Sequence, residues 1–225
     1  RGSASVGPSG SEPMIVTKYT HACVRIDDGD RSVVIDPGFW SELDQALDGV
    51  GAVLISHEHA DHVDIEAVRA AAKRDPDLRI WAPGSVAEEL SDLGDQVVRA
   101  RPGTEFEAGG LSVATYGGQH AIVHPSIPVI ENIAYWVEGV YHPGDSFTVP
   151  TKPTDLLCVP LHAPWSTTGQ VVDFTIAVGA ARAFQIHECL LSDFGRTFCE
   201  QHVAEAAAPH GIEFRHLDPQ QEVRL

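Results

Sequence analysis

The chain has 225 residues, 43% hydrophobic and 21% charged, enough for one domain with its own core and ordinary for a globular protein. Its formal net charge is −17 at pH 7, from 15 Lys and Arg against 32 Asp and Glu. That balance weighs against a nucleic-acid footprint, which needs clustered cations, and against anionic membranes; no run reaches the ~18 apolar residues of a membrane span.

Residues 1–13 (RGSASVGPSGSEP) are polar and rich in Gly and Ser, and read as an expression-tag remnant. A single domain over 14–225 is expected. Residues 14–36 read as short β-branched strands (MIVTKYT, CVRI, RSVVID) with DDGD as a turn and Asp36-Pro37-Gly38 closing the last. A short helix is expected at 40–48, followed by the apolar run GAVLIS at 51–56, whose length suits a strand buried on both faces. HEHADH follows at once, then a helical pattern at 64–74 with Asp64 and Glu66 in its first turn. RIWAP at 79–83 predicts a strand, and 85–94 a helix capped by Ser85.

The second half repeats this logic. Residues 104–120 and 132–145 each read as a hairpin, the second turning at Gly139. DLLCVP at 155–160 is a buried strand, 170–183 a helix, 184–188 a strand end, and about 192–208 a last helix. The order suggests two packed sheets with helices outside. Cys23, Cys158, Cys189 and Cys199 lie far apart without a CxxC pair, and read as four reduced thiols of a cytoplasmic protein.

The chemistry concentrates in His57-Glu58-His59-Ala60-Asp61-His62. In extended backbone, residues two apart project to the same side, so His57 and His59 can grip one ion together. Asp61 and His62 lie where the chain turns into a helix and can face a second ion. Imidazole and carboxylate are ligands that Zn, Mn and Fe accept. The remaining ligands must come from further along, and His120, Asp145 and His187 each sit where a strand is expected to end. The alternative for HEHADH is a polar loop of solvated histidines, which three histidines and an aspartate behind a buried strand disfavour.

HEHADH at 57–62, GGQHA at 117–121, PGDS at 143–146 and the strand-end His187 together resemble the metallo-β-lactamase superfamily. The opening YTHACVRI…VVIDPG is similar to the branch holding L-ascorbate-6-phosphate lactonase-like proteins and uncharacterised Zn-dependent hydrolases. The resemblance implies an α/β (α+β) fold, a four-layer αββα sandwich with metals at one edge of the sheets. It implies that His57, His59 and His120 hold a first ion, that Asp61, His62 and His187 hold a second, and that Asp145 bridges both. Asp36 would orient the metal loop, against a plain turn-capping role.

Two divalent ions are therefore expected, with Zn favoured and Mn or Fe as alternatives. A water shared by them would lose its proton near neutral pH and attack a carbonyl or phosphoryl centre. The expected activity is hydrolysis of an ester, lactone or phosphodiester bond in a small molecule, with Asp61 and His162 as candidate catalytic side chains. Mononuclear iron sulfur-dioxygenases are an alternative on the same scaffold, and a nuclease is another, though no basic segment suits one. His124 and His142 are weaker candidates beside local structural roles. Trp165 is read as a core or exposed residue before a pocket wall, and His21 as a structural or loop-lining histidine. His202, His210 and His216 are read as solvated. No GxSxG elbow or GxxxxGK loop points to serine or nucleotide chemistry.

Overall fold

The computed structural model describes residues 13–225, so nearly all of the expected tag remnant lies outside the described residues. One sheet is formed by β1 (Ile15–Lys18), β2 (Val24–Asp28), β3 (Arg31–Ile35), β4 (Ala52–Leu54), β5 (Arg79–Ala82) and β6 (Val97–Arg99). The second holds β7 (Glu105–Ala108), β8 (Leu111–Gly117), β9 (Ile133–Val137), β10 (Val140–His142), β11 (Leu156–Pro160), β12 (Arg182–Ile186) and β13 (Glu213–Arg215). A last strand, β14 (Glu222–Arg224), returns to pair with β1 and completes the first sheet.

Each half follows one plan. An antiparallel meander, β1–β3 or β7–β10, gives way to parallel pairing through β4–β6 or β11–β13. The two sheets face one another across Val16, Ile26, Ile35, Leu54, Leu111, Tyr135, Phe184 and Ile186. The apolar runs of β4 and β11 are continuous because both of their faces are covered. Ala52 and Leu54 enter the core between the sheets, while Val53 and Ile55 pack under helices. Leu156 and Cys158 face inward in the same way, and Leu157 and Val159 outward.

Helices α1 (Leu43–Ala46), α2 (Ile65–Arg74) and α3 (Gly84–Glu89) cover the first sheet; α4 (Thr168–Val178) and α5 (Asp193–Ala207) cover the second. The result is the αββα sandwich. Helix α2 starts where Asp64 accepts a hydrogen bond from the Ala67 N–H at 2.9 Å, a cap worth about 1 kcal/mol. No helix among the described residues is long and apolar enough to cross a membrane. All four cysteines are free.

Several boundaries depart from expectation. Ser85 is not a cap: Pro83 holds the N-cap position, and Ser85 sits inside α3. The helix expected over 85–94 ends at Glu89, and a 3₁₀ segment, Ser91–Gln96, follows with Gly94 at φ 56°. The helix expected over 170–183 begins at Thr168, on a Thr167–Gln170 capping box, and stops at Gly179, whose φ of 66° is left-handed. Residues 182–183 already belong to β12. The helix expected at 40–48 is a single turn.

Candidate metal centre

The candidate side chains come from the ends of strands. Asp36 follows β3, HEHADH follows β4, His120 lies beyond β8, Asp145 beyond β10 and His187 directly after β12. The structure brings them into two adjoining clusters, His57, His59, His120 and Asp145 in one and His21, Asp61, His62 and His187 in the other. All seven residues read as ligands in the sequence are present. His21 is an addition.

Close backbone approach makes this packing possible. A Cβ on Gly38 would lie 1.9 Å from the Asp61 carbonyl oxygen, so only glycine lets the Asp36-Pro37-Gly38 turn seat the metal loop. The Phe39 N–H donates to the Ala60 carbonyl and the Asp64 N–H to that of Pro37, both at 2.9 Å. Gly144 is confined likewise: its Cβ would meet Asn132 Oδ1 at 2.3 Å. Gly117 and Gly118, expected to bring the backbone of GGQH close to the site, serve differently: their φ values of 83° and 126° form the bend, and an added Cβ would have more room.

Within the first cluster His57 Nε2 lies 3.1 Å from His59 Nδ1, and His120 Nε2 lies 3.2 Å from Asp145 Oδ2. In the second, His187 Nε2 is 3.7 Å and His62 Nε2 3.9 Å from Asp61 Oδ2. Asp145 joins the two, its Oδ1 3.1 Å from His62 Nε2 and its Oδ2 3.2 Å from His187 Nε2. Ligands on a tetrahedral Zn with bonds of about 2.0 Å stand about 3.3 Å apart. The imidazoles also carry the expected outer contacts. His187 Nδ1–H donates to the His162 carbonyl at 2.7 Å, His120 Nδ1–H to the Ala121 carbonyl at 2.6 Å, and His62 Nδ1–H to Asp36 Oδ2 at 2.7 Å. Each turns its Nε2 inward.

Asp36 is fully buried and anchors the loop, accepting also from the Ser56 N–H at 2.7 Å and the Ser56 hydroxyl at 2.6 Å. The Ser56 oxygen in turn accepts from His57 Nδ1–H at 2.9 Å. His62 Nε2, His187 Nε2 and Asp145 Oδ1 are buried yet make no hydrogen bond among the described residues. His62 Nε2 and Asp145 Oδ1 are close, but not aligned as donor and acceptor. Buried, unpartnered ligand-type atoms within clusters of this kind fit a bound cation. The donor set therefore fits divalent ions.

Electrostatics separate the clusters. Burial pushes His57 well below the usual imidazole range, and lowers His59. Burial is the largest influence on His62 and His187 and opposes their charge, but Asp145 together with Asp36 at His62, and Asp145 together with the His162 carbonyl at His187, outweigh it and raise both. Burial would raise Asp145, yet the same histidines hold it well below the carboxylate range. Burial would raise Asp61 too, but the His21 hydrogen bond and His62 bring it down to about 2. His21 is pushed down to about 4 by burial, against the pull of Asp61.

The weaker candidates divide. Trp165, half-buried, donates its indole N–H to Asp145 Oδ2 at 3.0 Å, a contact the sequence reading gave no weight. The His162 carbonyl orients His187, while its half-buried imidazole makes no hydrogen bond among the described residues. His124 is exposed and closes a local turn with Ser126. His142 is buried, donating from Nε2 to the Ala22 carbonyl at 2.7 Å and accepting the Gly144 N–H at 3.2 Å. It thus ties the neighbour of His21 to the neighbour of Asp145. His216, read as solvated, is exposed, and its Nδ1 lies 2.7 Å from Glu200 Oε1.

Residues 15–187 match the family described as the beta-lactamase superfamily domain, and the chain belongs to that family. With the two His/Asp clusters, the fold defines a metal-dependent hydrolase. The chain is similar to Protein Rv0786c of Mycobacterium tuberculosis, with 34% identity over 189 residues that cover 81% of this chain and 88% of the relative. Igni18, a metallo hydrolase of the archaeon Ignicoccus hospitalis, has a similar structure: TM-score 0.72 at 18% identity, covering 94% of this chain and 98% of the other. So has CmlA, a diiron β-hydroxylase of Streptomyces venezuelae, with TM-score 0.74 at 14% identity over 97% of this chain and 55% of the other. At these identities the two structures share the fold alone.

Proposed function

We propose that the protein is a dinuclear hydrolase that cleaves an ester or lactone of a small molecule, with phosphodiesters as the runner-up substrates. In this reading His57, His59 and His120 hold one divalent ion, Asp61, His62 and His187 the other, and Asp145 lies between them. Zn suits the histidine-rich set; Mn or Fe would also be accepted. The observation that carries the reading is that His62 Nε2, His187 Nε2 and Asp145 Oδ1, buried inside two adjoining His/Asp clusters, have no hydrogen-bond partner among the described residues. When bound, such ions supply an activated water and polarise the substrate oxygen.

The protein's own residues set the rest. His59 is exposed and the Asp61 side chain is 24% exposed, whereas the other candidate ligands are buried, so these two form the solvent-facing side of the centre. Asp61, lowered to about 2, is ionised at neutral pH and can accept a hydrogen bond from water at its carboxylate, orienting it. Beside His120 lies an open cavity of about 590 Å³ lined by Gln119, Ile122, Ser146 and Phe147. Trp165 packs on Phe147 with ring centroids 5.0 Å apart and walls off Asp145. This lining mixes apolar Ile122 and Phe147 with neutral polar Gln119 and Ser146 and carries no Lys or Arg, and buried Lys18 is already paired with Glu188 at 2.6 Å. A neutral carbonyl substrate therefore suits the cavity better than a phosphate.

The test is a panel of lactones, carboxylic esters and phosphodiesters assayed before and after chelation and Zn or Mn repletion. Metal-dependent turnover of the carbonyl substrates is expected. Oxygen consumption by the iron-loaded protein, without hydrolysis of any panel member, would overturn the reading in favour of a redox enzyme.

A further inference from the structure

His21 stands in the second cluster but is wired in the opposite sense from the histidines around it. The imidazoles offered as ligands through Nε2 have Nδ1 turned toward an acceptor: the Ser56 hydroxyl for His57, Asp36 for His62, the Ala121 carbonyl for His120 and the His162 carbonyl for His187. At His21 the neighbour of Nδ1 is a donor, the Cys189 backbone N–H, at 3.4 Å. An imidazole nitrogen that accepts an N–H carries no proton of its own, so the single proton of the neutral ring sits on Nε2. That Nε2 lies 3.1 Å from Asp61 Oδ2.

We propose that His21 is a positioning residue for the second metal: its Nε2–H holds Asp61 in the orientation the ion requires, without ligating the ion itself. A carboxylate oxygen has two lone pairs. Asp61 Oδ2 can therefore accept the His21 proton and still face His62 and His187. A ligand at Nε2 would need the proton on Nδ1, where it would oppose the Cys189 N–H.

The rest of the neighbourhood locks the ring. His21 is fully buried, and its φ of 65° is a left-handed conformation unusual for a residue with a side chain. His187, at φ 62°, shares that conformation, and its N–H donates to the His21 carbonyl at 3.3 Å. Strained backbone at two joined residues of one cluster is a feature of sites whose geometry is over-determined. Trp40 packs its edge against the His21 ring at 4.9 Å, and the His187 ring lies 4.2 Å away on another side. Lys18, buried and paired with Glu188, pins the segment that carries both His187 and Cys189.

This inference rests on the dinuclear reading, and its test separates the two. Zn²⁺ and Co²⁺ titrations would follow both equivalents in wild type, His21→Ala, His21→Asn and His21→Gln, with far-UV circular dichroism as the folding control. His21→Ala is expected to weaken the second equivalent by about 10–100-fold and leave the first unchanged, as loss of a partner behind a ligand does. A glutamine amide ends near the place of Nε2 and should restore most of the loss. An asparagine amide ends near Nδ1 and should not, although asparagine tolerates the left-handed backbone better. Long-range ¹H–¹⁵N spectra of the His21 ring are expected to show Nε2–H before and after metal loading.

A proton found on Nδ1 after loading, or a glutamine variant as defective as alanine, would make His21 a direct ligand and overturn the proposal. So would an alanine variant that keeps the second ion at wild-type affinity. A wild-type protein that binds fewer than two ions defeats the dinuclear reading itself. The ring proton of the unloaded protein then decides for His21, Nε2–H supporting the hydrogen bond to Asp61 and Nδ1–H excluding it.

Discussion

The two clusters are built from the same residue types but handle charge differently. In the first, burial keeps His57 and His59 neutral, so their lone pairs are ready for a cation. In the second, Asp145 and Asp36 offset the cost of burial, and the protonated forms of His62 and His187 are favoured over those of an ordinary imidazole. One half of the centre is preorganised by desolvation, the other by carboxylates. The same six-residue loop supplies both halves, so the difference comes from what each imidazole packs against, not from the motif.

Removing the carboxylate common to both halves should erase the contrast. Asp145→Ala is expected to lose both ions, and hydrolysis of a responsive ester should fall by on the order of 10³-fold, ~4 kcal/mol of transition-state stabilisation. Metal analysis and kcat/KM on the same preparation check it. Asp36→Asn sharpens the contrast, because Asp36 touches His62 directly and His57 only through Ser56. The second ion should bind about 10–100-fold more weakly, with a smaller effect on the first, read by competition with a chromophoric chelator.

The pH dependence of metal uptake is the next test. His62 and His187 have raised pKa values, so an ion must displace their protons, and its affinity for the second site climbs by about tenfold per pH unit for each proton displaced. That climb ends once pH passes their raised values. His57 and His59, lowered from 6.5, require no such exchange, so their contribution to first-site affinity is flat above pH 6.5. Calorimetry in buffers of different ionisation enthalpy counts the protons released. For protein stripped of metal the sign is opposite. Folded pKa values raised above 6.5 stabilise fully below that pH, and the stabilisation is lost as pH rises through them. The smallest expected effect is that of Gly38→Ala, whose methyl would collide with the Asp61 carbonyl. Overpacking of this kind costs about 1–3 kcal/mol, visible as a lower Tm, and should disturb the Asp61 side of the centre first.

Much of this centre was legible in the sequence because its residues stand at strand ends in recognisable runs. HEHADH after an apolar strand, GGQH, PGD and IHE each mark a place where a strand reaches one rim. The layered fold was legible for a similar reason: the apolar runs of β4 and β11 announce strands covered on both sides. What escaped was non-local. His21 lies in a turn between two strands, 40 residues before Asp61, and no spacing rule joins them. Trp165 looked like an ordinary core or surface aromatic because its partner, Asp145, is 20 residues away. Strands β6, β13 and β14 are three residues each, too short for alternation to register. The boundary errors at Ser85 and at Gly179 share a cause: a cap is decided by backbone angles, and a serine or glycine near a helix end can take more than one position.

The most direct test of the account is metal content per chain, by plasma mass spectrometry, on protein purified without a chelating column. The account predicts two equivalents of Zn or Mn in the wild type, one in His59→Ala or His187→Ala, and none in Asp145→Ala. A wild-type protein that takes up no metal even after reconstitution would contradict it.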